Sequence, residues 1–210
     1  MLSEEEIVAR ILSGEKKLYE SLIRKYNQRL YRIGRSIVND DNEVEDIMQT
    51  AYLNAYVNLA RFENKSSFST WLTKILINES LLHKKRKAKL EQILIEKQDV
   101  KYHSDTPLTG LMNNELKIVL EKSIAVLPEK YRLVFVMREV EEMSTRETME
   151  TLNLTESNVK VRLNRAKEML RDSLSSQYRF SGVYDFHLTR CDRMVNYVMT
   201  RIDTVSAKHQ

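Results

Sequence analysis

Turn-forming residues are so scarce in this chain that they decide its fold class. Four glycines and two prolines among 210 residues leave few places for the tight turns that hairpins and βαβ crossovers require. Ordinary proteins use proline at about 5%. An all-α chain is therefore expected, and the hydrophobic spacing agrees. Over residues 4–38, Ile7, Ile11, Leu18, Leu22, Ile23, Tyr26, Leu30, Ile33 and Ile37 recur every three or four positions, which predicts amphipathic helix. Asn39, Asp40 and Asp41 interrupt the pattern. A second helix is predicted over about 42–60 on the stripe Val44, Ile47, Met48, Ala51, Ala55 and Leu59. A third begins near Ser69, carries Trp71, Leu72, Ile75, Leu76 and Leu82 on one stripe, and ends in Lys84, Lys85, Arg86, Lys87 and Lys89.

Periodicity weakens from about Lys89 to Asn114, and Pro107 and Gly110 mark a flexible linker there. The chain is thus read as two small helical domains, residues 1–90 and 115–175, joined by a linker at 91–114, with a short helical C-terminal extension at 176–210. In the second domain a helix is expected over 115–126, and another opens at Pro128 and runs to about Val140. Ser144-Thr145-Arg146-Glu147 is a capping box. Asn153 suits the left-handed turn that ends a helix, and Thr155 can cap the next one, whose stripe is Val159, Leu163, Ala166 and Leu170. Two short helices about a tight turn, the second bearing Lys160, Arg162, Asn164, Arg165 and Lys167, form a helix-turn-helix signature. Such a helix lies in the major groove, where Arg and Lys donate to guanine, Asn pairs with adenine, and other cations meet phosphates. Beyond 176, Met194, Tyr197, Val198 and Ile202 predict one more amphipathic helix, packing on the second domain or offering a surface to a partner.

Charge and composition exclude several classes. The net charge of +4 is modest, but residues 61–100 hold nine Lys and Arg against five Asp and Glu. The longest apolar run, Leu133–Met137, is far below the ~18 residues of a membrane span. The acidic start at Glu4, Glu5 and Glu6 is unlike a basic signal peptide, and a lone Cys191 suits a reducing compartment, so the expected location is cytoplasmic. No Ser/His/Asp, Cys/His or metal-spaced arrangement stands out among the four histidines. No catalytic residue, metal or cofactor is therefore expected.

Three motifs in order carry a resemblance to a known family. They are Glu45-Asp46-Ile47-Met48-Gln49 with Ala51–Tyr56, then Phe68-Ser69-Thr70-Trp71-Leu72 with Ile75 and Asn78, then Leu127–Arg132 through Val159–Lys167. Over about residues 8–174 the chain resembles bacterial RNA polymerase sigma factors of the extracytoplasmic function group. The resemblance implies that residues 1–90 act as sigma region 2 and 115–175 as sigma region 4. It implies a non-catalytic initiation subunit that binds core RNA polymerase at the clamp helices of the largest subunit, recognises two promoter elements and melts DNA, and that an anti-sigma factor restrains.

The implied site residues follow motif by motif. Asp46 and Gln49 would contact the polymerase. Asn64, Lys65 and Ser66 fall in the base-capturing loop, Lys74 and Asn78 would read the minus-ten element, and Lys84, Lys85 and Arg86 would grip phosphates. Lys160, Val161, Asn164 and Arg165 fall at the positions that read the minus-thirty-five element. Trp71 reads as a core anchor. The chain departs from the family at Thr50, where an acid is usual, at Val161, usually small and polar, and at Thr148 and Met149, usually a larger apolar and then a small residue. Alternative readings are a stand-alone helix-turn-helix regulator, which leaves the Asp46/Gln49 helix and the Trp71 segment unexplained, and a sigma mimic that sequesters a regulator and would bind polymerase without supporting transcription.

Overall fold

In the computed structural model, residues 2–95, 113–177 and 193–197 are described. Every regular element among them is helical. Helix α1 (Glu4–Leu12) opens with a capping box between Ser3 and Glu6. The predicted continuous helix over 4–38 is interrupted here: Gly14 takes a φ of +114°, a short 3-10 turn covers Lys16–Leu18, and α2 (Tyr19–Arg35) starts afresh. The hydrophobic stripe crosses this break unaltered, so periodicity alone could not reveal it. Helix α3 (Asp41–Val57) starts at Asp40, whose carboxylate accepts from the Glu43 N–H, with Asp41 and Glu43 at the positive end of the dipole. Helix α4 (Phe68–Ile95) is the longest. These helices bury Leu22, Leu30, Ile33, Val44, Ala51, Ala55, Phe68, Leu72 and Leu76 in one core.

Helix α5 (Asn113–Val126) leads through Pro128 into α6 (Glu129–Phe135), which continues into a π-helical turn at Val136–Val140 rather than one even helix. The Ser144–Glu147 capping box forms and begins α7 (Thr145–Leu152). Asn153 adopts φ 52° and ψ 50°, and α8 (Glu156–Gln177) follows, with Thr155 Oγ1 accepting from the Asn158 N–H. Val159, Ala166 and Leu170 are buried, and Leu163 is half-buried. The buried Thr148 and Thr151 bond their hydroxyls to the carbonyls of Ser144 and Glu147, so these small polar residues are satisfied inside α7.

The halves share their interior. Leu133, Val136, Met137 and Met143 belong to the same buried cluster as Leu30, Phe68 and Leu76, and α7 packs on α4. A compact unit accordingly spans Met1–Arg171, and a second spans Asp172–Gln210. In the second, a helical turn at 193–197 exposes Met194, Val195 and Tyr197. Val198 and Ile202 of the expected C-terminal helix, most of the 91–114 linker with Pro107 and Gly110, and Cys191 lie outside the described residues.

Candidate functional site

Helices α2 and α3 diverge to form an open groove of about 970 Å³. Its wall is aromatic: the Tyr19 and Tyr56 rings lie 5.1 Å apart, and Tyr19 meets Tyr52 edge-on at 6.4 Å. Tyr19 donates to the Tyr52 carbonyl at 2.7 Å, and Tyr52 donates to the Ile23 carbonyl and Asn27 Oδ1. These bonds fix both phenols while burial raises their pKa values above the usual range. Met48, Gln49 and Leu53 complete the wall. Leu53 is 66% exposed at the edge of the groove, and Val57, one turn on, is 78% exposed. The groove is therefore suited to an apolar helix face with polar edges.

Gln49 lines this groove, and Asp46, one turn earlier on α3, lines a small cleft with Thr50, Glu79 and Arg86. The i,i+3 spacing leaves both exposed and neighbouring on α3, at the border between the two depressions. Tyr19 is missed by sequence reasoning because it is contributed from 33 residues before Tyr52.

The loop before α4 surrounds a second cavity, of about 330 Å³, lined by Phe62, Asn64, Lys65 and Ser66. Asn64 sits at φ 52°, a conformation that a non-glycine residue holds only at some cost. Phe62 and Phe68 meet edge-on at 5.6 Å, and Trp71 lies tilted against both, half-buried at the edge of the core. This is the anchoring role expected of Trp71. Its stripe ends early, however: Leu82 is exposed. Helix α1 supplies Glu4 and Glu5 to the same cavity, a wall that the motif pattern does not indicate. Glu4 is held by Lys25 and Tyr26, and Lys65 pairs with Glu63.

Lys74 and Asn78 stand one turn apart on the exposed side of α4. Further along, Lys84 pairs with Glu129, Lys87 meets Glu43 at 2.5 Å, and Lys85 and Arg86 are exposed, Arg86 at the edge of the cleft that Asp46 lines. On α8, Val161 and Asn164 are exposed, Lys160 pairs with Glu156 at 2.6 Å, and Arg165 with Glu168 at 2.9 Å. The lysine hydrogen bond lowers the Glu156 pKa. These are surface pairs between neighbouring turns, worth little in water and readily exchanged for phosphate. Arg162 is half-buried, at the margin of that surface. Upstream, burial alone would raise the pKa of Glu147. Hydrogen bonds from Ser144 and the nearby Arg29 and Arg138 outweigh it and leave the value lowered.

Comparison with known proteins places both halves. The family model for sigma-70 region 2 matches residues 22–90, and that for sigma-70 region 4 matches residues 117–170. The chain is similar to the ECF RNA polymerase sigma factor SigW of Bacillus subtilis, 29% identical over 80% of this chain and 94% of that one. It is 32% identical to a probable RNA polymerase sigma factor of Haemophilus influenzae, over 67% of this chain and 81% of the relative. Its fold matches the sigma factor RpoE of Bartonella quintana, solved with the anti-sigma factor NepR, at a TM-score of 0.61 and 19% identity, over 75% and 96% of the two chains. A stand-alone regulator would need no region 2. With both regions matched in order, the chain belongs to the extracytoplasmic function group of RNA polymerase sigma factors and directs promoter-specific transcription initiation.

Proposed function

We propose that three surfaces divide the work of initiation. The α2–α3 groove, with Gln49 and Leu53, docks the clamp helices of the polymerase largest subunit, while Asp46, one turn before Gln49, meets the partner beside it. The loop cavity at Asn64, Lys65 and Ser66 receives a base extruded from the minus-ten element. An unstacked base needs compensating contacts, and the Phe62 ring and the polar loop side chains supply them. Lys74 and Asn78 read the adjoining duplex, and Lys84, Lys85 and Arg86 follow its phosphates. Lys160, Val161, Asn164 and Arg165 read the minus-thirty-five element in the major groove.

The observation that carries this reading is the open groove walled by Tyr19, Tyr52 and Tyr56 with Leu53 exposed at its edge, set apart from the exposed Lys74, Asn78, Lys85 and Arg86 of α4 and the exposed Lys160, Asn164 and Arg165 of α8. No covalent chemistry is assigned to the chain, which acts as a non-catalytic subunit in the cytoplasm. Among the described residues no helix is long and apolar enough to cross a membrane. An anti-sigma factor is proposed as its regulator, a reading supported by the Bartonella quintana relative, which was solved bound to one.

Reconstitution with core polymerase on genomic fragments tests the assignment. Discrete promoter-dependent transcripts are expected, and a chain that fails to bind core polymerase would overturn it.

A further inference from the structure

Of the exposed, described residues between Glu156 and Arg165 on α8, Val161 alone is apolar. It is 55% exposed, while the helix buries Val159, Ala166 and Leu170 in the core. The residues three and four positions away share its face, and they are Ser157, Asn158, Asn164 and Arg165, all exposed. Every side chain around Val161 can therefore make a hydrogen bond, and Val161 cannot. Packing does not account for a valine there, since so exposed a side chain adds little to the core. Helix propensity does not either, because a β-branched residue is a poorer helix former than alanine, lysine or glutamine. A lone apolar side chain is ordinary on a protein surface; this one lies at the middle of a hydrogen-bonding face.

The helix carrying that face is placed to enter DNA. Helix α7, the left-handed Asn153 and α8 form a helix-turn-helix, whose second helix presents its N-terminal part to base edges in the major groove. Side chains on a helix lean toward its N-terminus, so Val161, in the second turn, covers the surface above Ser157 and Asn158. Base edges in that groove are hydrogen-bond donors and acceptors with one exception, the C5 methyl group of thymine. Valine against a methyl group buries apolar surface on both sides. Against the edge of guanine, adenine or cytosine it takes water from a polar atom and returns no partner, which costs free energy. The branched side chain also holds nearly a single rotamer on a helix, so its methyl groups are fixed before DNA arrives and little freedom is lost on binding.

We propose that Val161 is a specificity-determining residue that reads the C5 methyl group of one thymine in the minus-thirty-five element. The assignment rests on the sigma function described above and adds a base to it. It also fixes where that base lies. Residues one turn apart on a helix have Cβ atoms about 5–6 Å apart, and successive base pairs rise about 3.4 Å. The thymine therefore falls within about two base pairs of the pair that Asn164 reads. Removing its methyl group should weaken binding about fourfold, the worth of one buried methyl-sized group.

Deoxyuridine substitution tests this, because it removes the methyl group and leaves every hydrogen-bonding edge in place. Holoenzyme reconstituted from the full chain and core polymerase is titrated with a promoter it transcribes. Each thymine of the minus-thirty-five element is replaced by deoxyuridine in turn. One replacement is expected to weaken wild-type binding about fourfold. Val161→Ala, with circular dichroism unchanged, should bind the thymine promoter as weakly as wild type binds the deoxyuridine one, and should no longer distinguish the two. An effect on DNA shape would persist in Val161→Ala, so persistence would overturn the assignment. Indifference of the wild type to every replacement would overturn it too, as would a sensitive thymine remote from the pair whose preference Asn164→Ala relaxes. A minus-thirty-five element without a T·A pair would have the same force. Failure to produce promoter-dependent transcripts from unmodified DNA would refute the sigma reading and this assignment with it, whereas normal transcription that ignores deoxyuridine refutes only the role of Val161.

Discussion

Gly34 of α2 packs closely against Val44 of α3. A Cβ built there would lie 2.9 Å from Val44 Cγ1, and Val44 is itself fully buried. Gly34→Ala therefore gains about 1 kcal/mol of helix propensity but overpacks the core at a cost of about 1–3 kcal/mol. A lowered thermal midpoint is expected, relieved in Gly34→Ala/Val44→Ala; a raised midpoint would show that the helices separate freely. Nothing in the sequence distinguishes this glycine from Gly14, which serves a positive-φ break in open space. Local signals were legible at this scale: the Ser144 and Glu147 box and the left-handed Asn153 are where their chemistry puts them, because each depends on neighbours within four residues. Glu141 was not legible, since its partners Arg29 and Arg32 lie more than a hundred positions away.

Among the elements, α3 and α8 make separable predictions. Leu53→Asp changes a side chain that packs little against the core, so the thermal midpoint should move by no more than about 0.5 kcal/mol in stability. Core polymerase binding, followed by gel filtration, should nonetheless fall sharply, and retained binding would remove the groove from the interface. On the DNA side, Lys85→Ala should weaken binding to all promoters alike and reduce the slope of log affinity against log salt by about 1. Asn164→Ala should leave that slope unchanged and relax preference at one base pair, at a cost of about 1–3 kcal/mol for the preferred base. Binding titrations on a matched promoter set at several salt concentrations separate the two. The helices and their order could be read from periodicity, yet the groove could not: its wall joins Tyr19 of α2 to Tyr52 and Tyr56 of α3, and no spacing rule connects residues on different helices.

At the scale of the whole molecule, a shared core predicts shared unfolding. Met137 and Met143 share one buried cluster with Phe68, Leu72 and Leu76, and α7 packs on α4, so probes in α4 and α7 should report one thermal transition rather than two. Met137→Ala, which empties a fully buried site, should cost about 2–5 kcal/mol and lower the midpoint seen by both probes together. Two resolved transitions in calorimetry would show that the halves fold independently. The two-domain organisation was legible in the sequence because each half has its own motif; their union was not, since Leu133–Met137 reads equally well as the interior of either half.

The acidic first turn of α1 has a practical consequence at the bench. Glu4 and Glu5 line the loop cavity beside Asn64, Lys65 and Ser66, so a purification tag fused ahead of Ser3 emerges at the mouth of that cavity. A polyhistidine leader there would add imidazoles and bulk where a strand of DNA is expected to enter. Promoter opening is therefore best measured on protein whose leader has been cleaved away, with the tagged form run beside it as a built-in probe of how much room the cavity has.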